Sequence, residues 1–161
     1  MMDEITTILL DVQDHLGKTV PELAYVDKDW GQLSLEKPAV KFPCALLDLK
    51  DVSFTQTGNG GQVADTQITV TVANLRLTSS SLTAPKKEDA YRIIGLLAKI
   101  HTALHMFSAG DYAPLFRTRL RKIVADSSRE CYELTYQTAY MVGFDTGGST
   151  AKVTSVKLEL N

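Results

Sequence analysis

The sequence predicts an α+β fold: a largely antiparallel β-sheet with two α-helices packed on one face. Three observations carry that reading. The stretch "YRIIGLLAKIHTALHMF", residues 91–107, repeats its apolar residues at helical spacing. Two segments of alternating apolar and polar residues flank Asn59-Gly60, a dipeptide suited to tight β-hairpin turns. The elements run helix, hairpin, helix, hairpin, strand, an order that favours antiparallel pairing with helices to one side. The chain has 161 residues, the size of one domain, with 44% hydrophobic and 22% charged residues, enough to build a buried core.

The first helix is expected over 4–17. Ile5, Ile8, Leu9, Val12 and Leu16 share one face, and Gly17 has the character of a C-terminal stop. Residues 18–41 read as irregular, broken by Pro21 and Pro38, with Trp30 as an anchor. A strand hairpin follows over 42–77. In its first arm Ala45, Leu47 and Leu49 form the apolar face; in its second, Ile68, Val70 and Val72 do. The apolar phase then shifts to Leu75 and Leu77, which suggests a β-bulge near Ala73-Asn74. The turn "GNGG", Gly58, Asn59, Gly60 and Gly61, lacks the Gly-Lys-Ser/Thr ending of a phosphate loop and reads as a projecting polar turn.

The second helix is expected over 86–108, with Pro85 near its start and Glu88 and Asp89 in the first turn, where they favour the helix dipole. Ala90, Ile93, Ile94, Leu97, Ile100, Leu104 and Phe107 make its apolar stripe. Strands over 115–142 come next, the second with Tyr132, Leu134, Tyr136 and Tyr140 in register. "KVTSVKLEL" predicts a C-terminal strand at 152–160.

Charge narrows the function. The net charge is −2, so binding of nucleic acid by the domain as a whole is disfavoured; any basic function is local. The local exception is "LFRTRLRKIV", with Arg117, Arg119, Arg121 and Lys122. Strict alternation would put the three arginines on one face, with Phe116 and Leu120 on the other. That row is open to three readings: a guarded solvent edge, salt bridges to a neighbouring subunit, or a row facing DNA. Among the functional readings the subunit interface is preferred, with carboxylates such as Asp48, Asp51 or Glu133 as partners.

His101 and His105 lie four apart on the second helix, the spacing of a zinc pair, but Thr102 stands where a metalloprotease has glutamate and no third ligand is evident. The N-terminus has neither the basic start nor the apolar run of an export signal, so Cys44 and Cys131 are expected as reduced, buried thiols. No local arrangement marks a nucleophile, a cofactor or a membrane span, and the expectation is a non-enzyme without metal or cofactor.

Three blocks carry a family resemblance: "FPCALLDLKDVSFTQTGNGGQ", "YRIIGLLAKIHTALHMFSAGDYAPLFRT" and "CYELTYQTAY". In content and order, over residues 3–142, they resemble the tail-terminator, or tail-completion and head–tail joining, proteins of tailed bacteriophages and prophages. The resemblance implies a ring, usually hexameric, that caps the tail tube and docks the head connector while DNA passes through its channel without sequence-specific binding. It implies assembly in the bacterial cytoplasm, a final place in the virion tail or neck, and no catalysis. The competing classes are a small-ligand or regulatory binding module on an α+β scaffold, and an enzyme whose residues converge only in space.

Overall fold

The computed structural model describes residues 2–123 and 127–143. The strand expected at 152–160 lies outside the described residues. The first helix, α1, spans Glu4–Thr19. Asp3 caps it: its carboxylate accepts the Thr6 N–H at 2.8 Å, meeting one of the donors that a helix start leaves bare. Gly17 does not stop this helix. The buried Val20 closes it instead, its N–H donating to the Leu16 carbonyl. Burying the Val20 side chain holds the last turn against the core, which outweighs the weak helix propensity of glycine.

A short strand, β1 (Tyr25–Lys28), falls inside the segment expected to be irregular. Trp30 does not anchor this region; it is 57% exposed. The buried residue is Gln32. Its side-chain oxygen accepts the Trp30 N–H, and its amide donates to the Lys28 carbonyl and the Asp27 carboxylate. A buried amide with its partners in place fixes a loop at little cost.

The long hairpin is β2 (Cys44–Gly58) and β3 (Gly61–Leu75). The second helix, α2, spans Arg92–Leu104 and is preceded by a 3₁₀ turn over Lys87–Tyr91. It is shorter than expected at both ends. The last described strands are β4 (Phe116–Ile123) and β5 (Arg129–Val142). They form one five-stranded sheet in the order β1-β2-β3-β5-β4. Only the β1–β2 pair is parallel; the other three are antiparallel. The fold is therefore α+β, and both helices cover the same face.

That covered face is the main core. Ile8, Val12 and Leu16 of α1 and Leu96, Leu97, Ile100 and Leu104 of α2 pack on Leu47, Ile68, Val70, Val72, Leu134 and Tyr136. Burying each such aliphatic side chain is worth about 2 kcal/mol in transfer free energy. Ile94, placed in the stripe by spacing, is 47% exposed, and Leu96 takes its place. The expected bulge at Ala73-Asn74 is absent: β3 pairs with β5 without interruption from Gln62 to Leu75. The irregularities sit in β2, between Leu49 and Asp51 and between Gln56 and Gly58. The apolar phase of β3 shifts because a second cluster occupies the opposite face at that end. Cys44, Leu46, Ala73 and Cys131 are buried there, with Tyr25, Leu33, Val40, Phe42 and Ile123 packed around them.

The connection after α2 is tied back to α1. The Tyr112 hydroxyl donates to the Asp11 carboxylate at 2.9 Å and accepts the Ala109 N–H. Burial, with Asp11 beside it, pushes the Tyr112 phenol up to about 12. His15 stacks on Phe107 at 4.0 Å and bonds through Nε2 to the Ala103 carbonyl.

Candidate functional site

The open features of this molecule are its sheet edges. Among the described residues β4 is an outer strand, and nearly all of its residues are exposed. Its register against β5 changes between Arg117 and Arg119. The extra residue there, Thr118, breaks the alternation assumed for the arginines. Arg117 lies opposite Tyr136 on the helix-covered face, whereas Arg119 lies opposite Thr135 and Arg121 opposite Glu133 on the other. The three arginines therefore do not form one row. The same bulge moves Phe116 to the face of Arg119 and Arg121, opposite Gln137, while Leu120 stays on the helix side opposite Leu134.

Arg121 already has a partner in its own chain: its Nε donates to the Glu133 carboxylate at 3.2 Å. Glu133 is thus engaged within the subunit. Among the described residues Arg117 and Arg119 make no ion pair. Lys122 lies over the Tyr132 ring at 5.9 Å.

The second open edge belongs to β2. β1 covers only Cys44–Leu47. From Asp48 to Gly58 the outer side of β2 has no strand beside it among the described residues. On this stretch Leu49 and Phe54 point to the helix side, opposite Ile68 and Ala64, and both are exposed. Asp48 and Asp51 take the other face, opposite Thr69 and Gln67.

The hairpin tip behaves as Asn59-Gly60 predicts: φ is 52° at Asn59 and 78° at Gly60. The turn is tighter than expected, because strand pairing reaches Gly58 and Gly61 themselves. Gly60→Ala is expected to cost about 1 kcal/mol, the penalty of a Cβ in left-handed backbone, and to lower the melting midpoint without altering the far-UV spectrum.

The remaining polar groups do not converge. The His101 and His105 rings are 4.7 Å apart, yet the described residues contain no cluster of three or more groups able to hold a metal. His101 bonds through Nδ1 to the Tyr136 hydroxyl at 3.2 Å. Burial, then the charges of Arg117 and His105, hold its pKa below the usual histidine value. Burial raises the Cys44 thiol to about 11 and so keeps it unreactive. Cys44 and Cys131 flank Ala73 two strands apart, roughly 10 Å, beyond the reach of a disulfide. An open groove of about 780 Å³ runs between α2 and the end of β3, lined by Glu22, Arg76, Asp89, Arg92, Lys99 and Glu130. Its shifted group, Glu22, is explained by its ion pair with Lys99. No helix of the described residues is long and apolar enough to cross a membrane.

No family model matches the chain. No curated protein matches it either. Among solved structures, a chain from the virion of a native gene transfer agent particle is similar, with 14% identity over 81% of this chain and 84% of that chain, at a TM-score of 0.45. A likeness at that level carries no argument about function, which must come from the edges themselves.

The edges were only half legible in the sequence. The cationic character of β4 was visible in its composition, but the face of each arginine depends on a bulge that no glycine or proline marks. The bare half of β2 depends on where the four residues of β1 stop.

Proposed function

We propose that this chain is a structural virion protein of a tailed phage or prophage. It closes the tail tube as a ring, hexameric in the form the sequence resemblance implies, and joins tail to head without catalysing a reaction. The observation that carries the proposal is β4: an eight-residue strand at the border of the sheet formed by the described residues, almost wholly exposed and bearing Leu120 and Phe116. Such an edge invites strand addition and aggregation unless the working assembly covers it. A ring of identical subunits covers it in every copy. The block order described above supplies the kind of ring. In this reading Arg119, Arg121 and the tip Gly58, Asn59, Gly60 and Gly61 meet neighbouring chains, and DNA passes the channel without being read.

The test is mass measurement in solution together with negative-stain imaging. The expected result is a closed particle of about six chain masses with a central hole, and tails of uncontrolled length when the gene is deleted from the phage or prophage. A monomer at every concentration, with normal tails after deletion, would overturn the proposal.

A further inference from the structure

The two open edges of the sheet are complementary to each other. In the order β1-β2-β3-β5-β4 the antiparallel pairings make β2 and β4 run in opposite directions. A second copy placed beside the first by rotation about an axis along the strands keeps its strand directions and its faces. Its β2 would then meet β4 antiparallel, with both helix layers on the same side. This is the better-bonded pairing for two bare strands.

Each face offers matching side chains, although Arg117 and Lys122 share the helix side with Leu120 and Phe116 shares the other with the arginines. On the helix side, exposed Leu120 of β4 would approach exposed Leu49 and Phe54 of the next β2. On the other side, Arg119 and Arg121 would approach Asp48 and Asp51. The like-with-like alternatives lack this match. β4 against β4 sets arginines against arginines, and β2 against β2 sets carboxylates against carboxylates, arrangements that are destabilising directly across strands.

We infer that β4 of one subunit adds to the bare outer half of β2, Asp48–Gly58, of the next, making one continuous antiparallel sheet around the assembly. This rests on the ring reading above and specifies the contact that builds it. The pairing is head to tail, so it generates a ring when the rotation closes.

Two charge-altered chains test it. One carries Arg119→Glu with Arg121→Gln, which leaves Glu133 a donor. The other carries Asp48→Lys with Asp51→Lys. Each alone is expected to shift from ring to monomer, with an unchanged far-UV spectrum and a melt that stays cooperative, at the midpoint of the diluted wild-type monomer. Mixed in equal amounts they are expected to recover the ring, because every β4–β2 contact then joins opposite charges in an alternating order. A mixture that stops at dimers would point to β4–β4 pairing and overturn the inference. Rings of wild-type mass from either variant alone would overturn it too, while leaving the ring reading intact. A wild-type chain that is monomeric throughout would instead sink the ring reading.

Hydrogen exchange on the wild-type protein gives a second measurement that needs no variant. The outward-facing amides of β4 and of residues 48–55, those not already bonded to β5 or β3, should be protected in the assembled form and exposed after dilution to monomer. Protection of those outward-facing β4 amides already present in the monomer would mean that another part of the same chain fills that edge, and would equally overturn the inference.

Discussion

Leu97→Asp is expected to abolish cooperative folding at ordinary temperature. Leu97 is 4% exposed and belongs to the core between α1, α2 and the sheet. The substitution removes about 2 kcal/mol of apolar transfer energy and leaves a carboxylate without a cationic partner in an apolar site, which costs several kcal/mol more. Domains of this size hold only about 5–15 kcal/mol in total. Leu97→Ala, which leaves a cavity but no charge, should cost about 2–5 kcal/mol and still fold. The exposed neighbour gives the control: Ile94→Asp should change stability by no more than about 0.5 kcal/mol. Urea titration followed by circular dichroism separates the three. A Leu97→Asp chain that unfolds with the parent would mean that α2 does not present this face to the sheet.

Tyr136→Ala should be the most costly single change in the sheet, at about 3–5 kcal/mol, the range for truncating a buried aromatic. Tyr136 is fully buried at the centre of β5, in a cross-strand row that runs Leu49, Ile68, Tyr136, Arg117. Its hydroxyl meets His101 Nδ1, so the residue also joins β5 to α2. Burial raises the phenol to about 12 against the opposing effect of Arg117, and His101 is held below its usual value; the pair is therefore uncharged at neutral pH. A neutral bond of this kind is worth about 1 kcal/mol. Tyr136→Phe should lose that amount and no more, which divides the hydroxyl from the ring. Equal losses for the two variants in thermal melts would show that the ring contributes no packing.

Local chemistry was legible in the sequence wherever it acts alone. Helical spacing located α2 because Ile93, Leu97, Ile100 and Leu104 must share a face to be buried. Asn59-Gly60 located the hairpin because few other residues tolerate its backbone. Features set by a distant partner were not legible. β1 is only four residues long and exists by pairing with β2 across the intervening loop. The end of β3 changed phase because Ala73 faces Cys44 and Cys131, brought together only by the folded sheet. The bulge that moves Arg117 away from Arg119 uses Thr118, a residue equally at home in a regular strand. For the candidate site, the sequence revealed a basic strand and offered Asp48 and Asp51 as partner carboxylates, whereas their place on the uncovered side of β2 required the sheet order.

The small extent of β1 has a mechanical consequence. It ends beside Leu47, and the Asp29 N–H also donates to the Leu47 carbonyl. Any strand laid along β2 from outside therefore meets a fixed stop at that point and can slide only toward the hairpin tip. The open track, residues 48–58, is roughly 36 Å long, and an eight-residue strand such as β4 occupies roughly 27 Å of it. The remaining play is about three positions. A one-position slip would carry every side chain of the guest to the wrong face, so steps of two are the permitted ones. β1 thus acts as an end-gauge on a short rail, confining an arriving strand to about two settings.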